Sequence, residues 1–448
     1  MGSLGLTRAL AAAALLAAVP AAAAPAVPVD PAGPAALAAP VIPAAPVVPA
    51  PAQHGPGWKL QGSLDAMAGQ YFYNGGAGSV NGYFNGNFQL LRSLGTDSGF
   101  YIEGAGNYTG FKQVNELAGG GTLFQQSMDY SLGAKWIKRF EDGYSLMPRL
   151  GVHNQLFRET TDETWGKGLY DFWRYEAGLT WERKTRLGMA VPWTYQFTLD
   201  FYYTHYPHFQ SLVSQFGTEL STEAAPNPGS RVLDTFSTQL GTRSEFELPD
   251  FVSLYGFYSI DFISFTDQLV VNSQDQFLGA KRSDAYQTLS VGGSKRLNDL
   301  DVLGRVRPVV ALSLTAADLF SNQNHFDADP SRLKYIGAYY DYWEVRFDPS
   351  VNLTFLKTMT TARLGYEAAL RFYTGRVTQN VDGSYTGDKL HQTSHSVFVE
   401  ATHPVWKGLC VKARGAWSAV SSNMAYQQTY VYSYHDYNYY AGLEWKFL

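Results

Sequence analysis

The sequence predicts an all-β protein, a closed antiparallel transmembrane β-barrel of about sixteen strands, with fourteen to eighteen compatible with the pattern. Three observations carry this. Segments of ten or more residues alternate apolar and polar side chains, short turns and long loops segregate to opposite ends of those segments, and aromatic residues collect at both ends. After Gly57 no stretch reaches the roughly 18 apolar residues of a spanning helix, so a membrane crossing there is made by strands.

The chain opens on a targeting signal. Arg8 supplies the positive start, Ala9 to Val19 the apolar core, and Ala21 to Ala24 the small residues a signal peptidase needs. Residues 1–23 are read as a signal peptide, cut near Ala23, because Pro25 directly after the cut makes a poor substrate. Pro20 ends the apolar run short of a spanning helix. Residues 24–57 are rich in Pro and Ala, as in VIPAAPVVPAPAQHGPG. Proline at this density builds neither helix nor sheet, so this part is read as a disordered periplasmic linker. A plain spacer is the favoured reading; a tether to a periplasmic partner and an insert in the lumen are the alternatives.

Residues 58–448 form the barrel. The last segment shows the alternation best: Tyr437, Tyr439, Ala441, Leu443, Trp445 and Phe447 share one face, against Asn438, Tyr440, Gly442, Glu444 and Lys446. Ala362 to Phe372 and Trp193 to Tyr203 repeat the pattern. Taken in order, the segments run over 58–73, 80–92, 98–111, 123–139, 144–159, 168–183, 192–206, 231–247, 252–266, 284–297, 304–320, 336–356, 360–373, 391–404, 407–421 and 434–448. The third and tenth alternate poorly.

With both chain ends in the periplasm, the periplasmic turns read SLGTD, FEDG, KTRLGMAV, LPDF, NDLDV, KTMT and a short turn at Trp406. The outer loops include 207–230, 267–283, 321–335, 374–390 and 422–433, the expected asymmetry. Trp136, Trp181, Trp193, Phe355, Trp445 and Phe447 then face outward at the periplasmic ends. Phe72, Tyr108, Phe124, Tyr203, Tyr339, Phe372 and Tyr437 face outward at the outer ends. Rings with an apolar body favour the level where hydrocarbon meets headgroup, so two girdles are expected.

The final stretch, Leu443-Glu444-Trp445-Lys446-Phe447-Leu448, resembles the C-terminal signature of Gram-negative outer-membrane barrels, with Leu448 one residue beyond the usual terminal phenylalanine. The general plan over residues 58–448 resembles porins. The resemblance implies an outer-membrane location, lipid as surroundings, the barrel insertion machinery as a partner that reads the last strand, and a homotrimer.

The inward positions hold nearly all the strand charge. The pore-lining candidates are the cations Arg305, Arg307, Arg346, Arg363, Arg371, Lys412 and Arg414 and the anions Asp200, Glu245, Asp261, Glu344 and Glu367. A charge facing hydrocarbon costs roughly 2–4 kcal/mol for Arg or Lys, so stability alone explains most inward placement. A lumen this wide nevertheless holds water. Cations concentrate on the eleventh to thirteenth and fifteenth segments and acids on the seventh to ninth, which predicts partly opposed walls and a transverse field. The expected function is passive diffusion of small hydrophilic solutes or ions. Loop 207–230 either folds into the lumen, caps the barrel outside, or packs on a neighbour. Tyr255, Phe257, Tyr340 and Tyr342 face inward, as wall filling or as a track for sugars.

Other classes are disfavoured. The net charge of −5 gives no nucleic-acid surface, and the lone Cys410 excludes an intramolecular disulfide. His205 with His208, and His391 with His395, come without a serine and carboxylate in a catalytic pattern and are incomplete as metal sites. No catalytic residue, metal or cofactor is expected. A secretion or assembly conduit with a periplasmic partner is the alternative, and a barrel enzyme the last choice.

Overall fold

The computed structural model describes residues 57–447, apart from 77, 116–121, 159–162, 189–190, 210–230, 303–304, 328, 330 and 429. Residues 1–56, read above as signal peptide and linker, most of loop 207–230 and Leu448 lie outside the described residues.

The strands are β1 (Trp58–Tyr73), β2 (Ser79–Ser93), β3 (Ser98–Asn115), β4 (Thr122–Arg139), β5 (Tyr144–Arg158), β6 (Phe172–Leu187), β7 (Val191–His205), β8 (Thr235–Leu248), β9 (Val252–Val271), β10 (Phe277–Arg296), β11 (Val306–Ser321), β12 (His325–Asp327), β13 (Lys334–Ile336), β14 (Tyr342–Phe355), β15 (Thr360–Gln379), β16 (Tyr385–Trp406), β17 (Leu409–Ser422) and β18 (Tyr434–Phe447). Among the described residues, sixteen of them pair with their chain neighbours in antiparallel order, and β1 closes on β18. The other two, β12 and β13, make a small hairpin in the connection from β11 to β14. Closure leaves no edge of the sixteen-strand wall unpaired, the condition for a sheet to stand in lipid.

Side chains alternate across the wall in the sense the sequence predicts. On β18 the odd positions from His435 to Trp445 are exposed, while Tyr434 and Asp436 are buried on the other face. β6 repeats this, with Trp173, Tyr175, Ala177 and Leu179 exposed and Arg174, Glu176 and Gly178 between them. A soluble fold turns its leucines inward; here Leu64, Leu132, Leu150, Leu179, Leu312, Leu364 and Leu443 are exposed on the outer face, the pattern of a surface built for hydrocarbon.

The turns explain how neighbouring strands stay in register. The β1–β2 turn is Asn74-Gly75, both with positive φ (48° and 70°), a mirror-image turn whose twist suits a hairpin. On the opposite rim Gly408 has φ 72°, and a Cβ there would lie 2.1 Å from the Lys446 carbonyl oxygen.

Two expected outer loops, 267–283 and 374–390, are largely strand. β9 runs on to Val271 and β10 starts at Phe277; β15 runs to Gln379 and β16 starts at Tyr385. Register shifts between Phe277 and Ser283 and between Phe372 and Gln379 mark where these hairpins leave the regular wall. The apolar-polar alternation ends there because lipid ends there, while backbone pairing continues in water.

Candidate pore lumen

The aromatic girdles come first, because they fix the level of the wall. At the outer end Phe72 stacks on Tyr437 at 4.4 Å, Tyr203 on Phe236 at 4.6 Å, and Phe372 on Trp343 at 4.4 Å. At the periplasmic end Trp181 meets Tyr195, Trp193 lies parallel to Phe246, and Trp445 leans on Phe447. Trp136 is exposed on the same face of β4, and Phe355 shares the outward parity of the exposed Phe347. Tyr339 is a correction. It precedes β14 and is buried among Ile336 and Val377, stacked on His325 and under the Arg376 guanidinium, so it belongs to the outer loops. Trp343 takes its place in the girdle; the strand begins later than the sequence reading had it, which moves the outermost ring by four residues.

Inside, charge is neutralised within each wall. On the β5–β9 wall, Arg149 meets Asp200 at 2.5 Å across β6, and Arg243 meets Glu245 at 2.6 Å. Asp261 on β9 and Asp200 on β7 both stand in register with Gln239 of β8. Arg174 lies against the Phe172 and Tyr202 rings and donates to Thr204. On the β14–β15 wall, Arg371 donates through Nε and Nη2 to Glu344 (2.9 and 2.7 Å), and Arg346 bridges Glu344 (2.8 Å) and Glu367 (3.5 Å). Lys412 on β17 sits 2.8 Å from Asp65 and 3.4 Å from Glu400. These pairs correct the expected field between an acidic and a basic wall: most cations face a carboxylate beside them, not across the lumen.

Arg363 and Arg414 differ. None of the described ion pairs includes either; both guanidiniums lie against Phe398 of β16, 4.9 and 5.6 Å from its ring centroid. Arg305 also departs from expectation, since it lies in the turn before β11 with φ 74° instead of on the lumen wall. It joins Arg296 and Arg307 around Asp299 at 3.1 to 3.6 Å on the periplasmic rim. Partial burial raises the Asp299 pKa, but the guanidiniums outweigh it, Arg307 foremost, and hold the carboxyl below its usual value.

The outer mouth carries what the sequence reading missed. The segment between β17 and β18 folds against the inner wall: Met424 and Tyr432 pack with Leu319, Tyr342, Tyr373 and Leu390. Arg376 donates to the Tyr432 hydroxyl at 2.6 Å, and the amides of Ala425 and Tyr426 donate to the Gln379 carbonyl. Arg332, tied to Asp327 at 2.7 Å, lies over the Tyr426 ring. The signal available was composition, a run of tyrosines from Tyr426 to Tyr434 too apolar for a free loop. Of the histidines, His205 lies 2.8 Å from the buried Asp234, and His391 and His395 stack on the Phe372 and Tyr366 rings.

Fold and lumen together define the class, a transmembrane β-barrel with an apolar exterior and an ionic interior. No family model matches the chain, and no curated protein does. Solved structures of outer-membrane proteins do match in strand arrangement. OmpF of Salmonella typhi in complex with daunomycin is 12% identical over 88% of this chain and 98% of its own, with a TM-score of 0.42. A loop L8 deletion mutant of OmpT of Vibrio cholerae is 9% identical over 88% and 100%, with a TM-score of 0.40. OccD3 of Pseudomonas aeruginosa is 10% identical over 87% and 92%, with a TM-score of 0.39.

Proposed function

We propose that the barrel is an outer-membrane channel through which small hydrophilic solutes or ions diffuse passively, exported with residues 1–23 as its leader. The observation that carries this reading is the sixteen-strand closure around a charged interior. Barrels of this strand number leave an aqueous passage, whereas an eight-stranded barrel fills its interior with side chains. Ion pairs such as Arg346 with Glu344 and Glu367 need water or close partners, and a wide lumen supplies both. The reading includes no catalytic step.

The test is single-channel conductance of the refolded barrel in a planar bilayer. Steady ohmic steps are expected, with weak ion selectivity because the wall charges are paired. A folded barrel without conductance would overturn the reading.

A further inference from the structure

We propose that the β15–β17 wall carries a binding site for small organic monocarboxylates, built from Arg363, Arg414 and the Phe398 ring between them; the proposal rests on the channel reading above and narrows it to a preferred solute class.

The site follows from register. Arg363, Glu400 and Arg414 occupy one row across β15, β16 and β17. The carboxylate in the middle of that row would neutralise both neighbours, but it is 3.4 Å from Lys412, which also holds Asp65. Three cations against two carboxylates leave one positive charge, located at the two arginines, a match for a monoanion.

Two residues along β16 on the same face, Phe398 stands between the guanidiniums. Its ring occupies the space that a side chain at Gly365 would need: a Cβ there would lie 2.3 Å from the ring. Stacking on an aromatic face fixes a guanidinium's plane and leaves its edge donors for a ligand. Those donors form a fork that matches a carboxylate in bidentate fashion. The ring beside them offers apolar contact to a carbon skeleton and nothing to a strongly hydrated inorganic anion. Arg414 is exposed, while Arg363 is half-buried with its Nε shielded from solvent and without a hydrogen-bond partner.

The experiment uses the refolded barrel in two measurements, current through single channels and calorimetric titration in detergent, with potassium benzoate as probe and potassium phosphate as comparison. Heat-modifiable mobility confirms that each variant is folded. Wild type is expected to show saturable benzoate binding and current interruption, with phosphate weaker. Arg363→Ala and Arg414→Ala should each weaken benzoate about tenfold or more. The double Arg363→Lys, Arg414→Lys variant should keep the wild-type reversal potential in a salt gradient and lose benzoate saturation, because an ammonium keeps the charge without the fork. Equal benzoate binding in wild type and the alanine variants would overturn the site, as would unchanged binding in the lysine double variant. Titratable benzoate binding without conductance would keep the site and end the channel reading; conductance without binding would do the reverse.

Discussion

Arg149 on β5 reaches past β6 to the Asp200 carboxylate on β7, and the β6 residue directly between them is Gly178. A Cβ at Gly178 would stand 1.9 Å from Asp200 Oδ1 and 3.0 Å from Arg149 Nε. Strands two apart are about 9.5 Å from each other, so the missing side chain is what opens a path for the guanidinium. Gly178→Ala is expected to push the pair apart and destabilise the refolded barrel by about 1–3 kcal/mol, read as a lower urea midpoint. Gly256→Ala, where a Cβ meets nothing within 4 Å, serves as the comparison and should leave the midpoint in place.

Lys412 on β17 reaches past β18 to Asp65 of β1 on one side and contacts Glu400 of β16 on the other. Lys412→Met leaves both carboxylates in the lumen wall without it. The reversal potential in a salt gradient should move toward cation preference. Stability should fall toward the lower end of the roughly 3–5 kcal/mol seen when one partner of a buried pair is removed, since lumen water screens what remains. A reversal potential equal to wild type would show that these carboxylates do not face the conducting path.

Met424 and Tyr432, in the segment between β17 and β18, are held against the inner wall by their packing and by Arg376. Tyr432→Ala removes both a ring from the cluster and the acceptor of the Arg376 bond. Conductance should rise, with added open-channel noise as the segment samples positions off the wall. An unchanged step size would place this segment outside the narrowest part of the lumen.

Acid should loosen the same mouth. Burial raises the Asp327 pKa, but donors outweigh it: the Tyr385 hydroxyl at 2.8 Å, the Asp329 amide and Arg332 hold the carboxyl below its usual value. A carboxylate depressed on folding contributes its stability in full above the ordinary value of about 4 and loses it as pH falls through the lower folded value. Protease access to the β12–β13 hairpin should therefore increase only below about pH 4. Asp327→Asn should show that access at neutral pH, and a variant as resistant as wild type would refute the tie.

Much of this was legible in the sequence because lipid imposes a period of two that no tertiary contact can override. Trp193 to Tyr203 and Tyr437 to Phe447 declared both their strands and their outward faces. What stayed hidden depends on register between strands far apart in the chain. Nothing local to Gly178 announces Arg149 and Asp200, and nothing local to Glu400 shows that Lys412 takes it from two arginines. Tyr339 misled for the converse reason. It has the composition of a girdle residue, yet it lies where pairing has not begun and loops, not lipid, surround it.

The inward and outward faces can be tested at a single level of the wall. Leu364 on β15 is 51% exposed with outward parity, while Ser396 on β16 faces the lumen beside Glu367. Leu364→Arg puts a guanidinium against hydrocarbon and should cost roughly 2–4 kcal/mol of folding stability in a bilayer. Ser396→Arg puts the same group in water next to a carboxylate and should be nearly neutral. Both variants carry the same added charge on adjacent strands, so net charge and strand propensity cannot account for a difference between them. The measurement is the yield of heat-modifiable barrel on refolding into lipid vesicles across a urea series. Equal tolerance of the two would mean that this wall does not face lipid, and a larger loss for Ser396→Arg would mean that the faces are reversed.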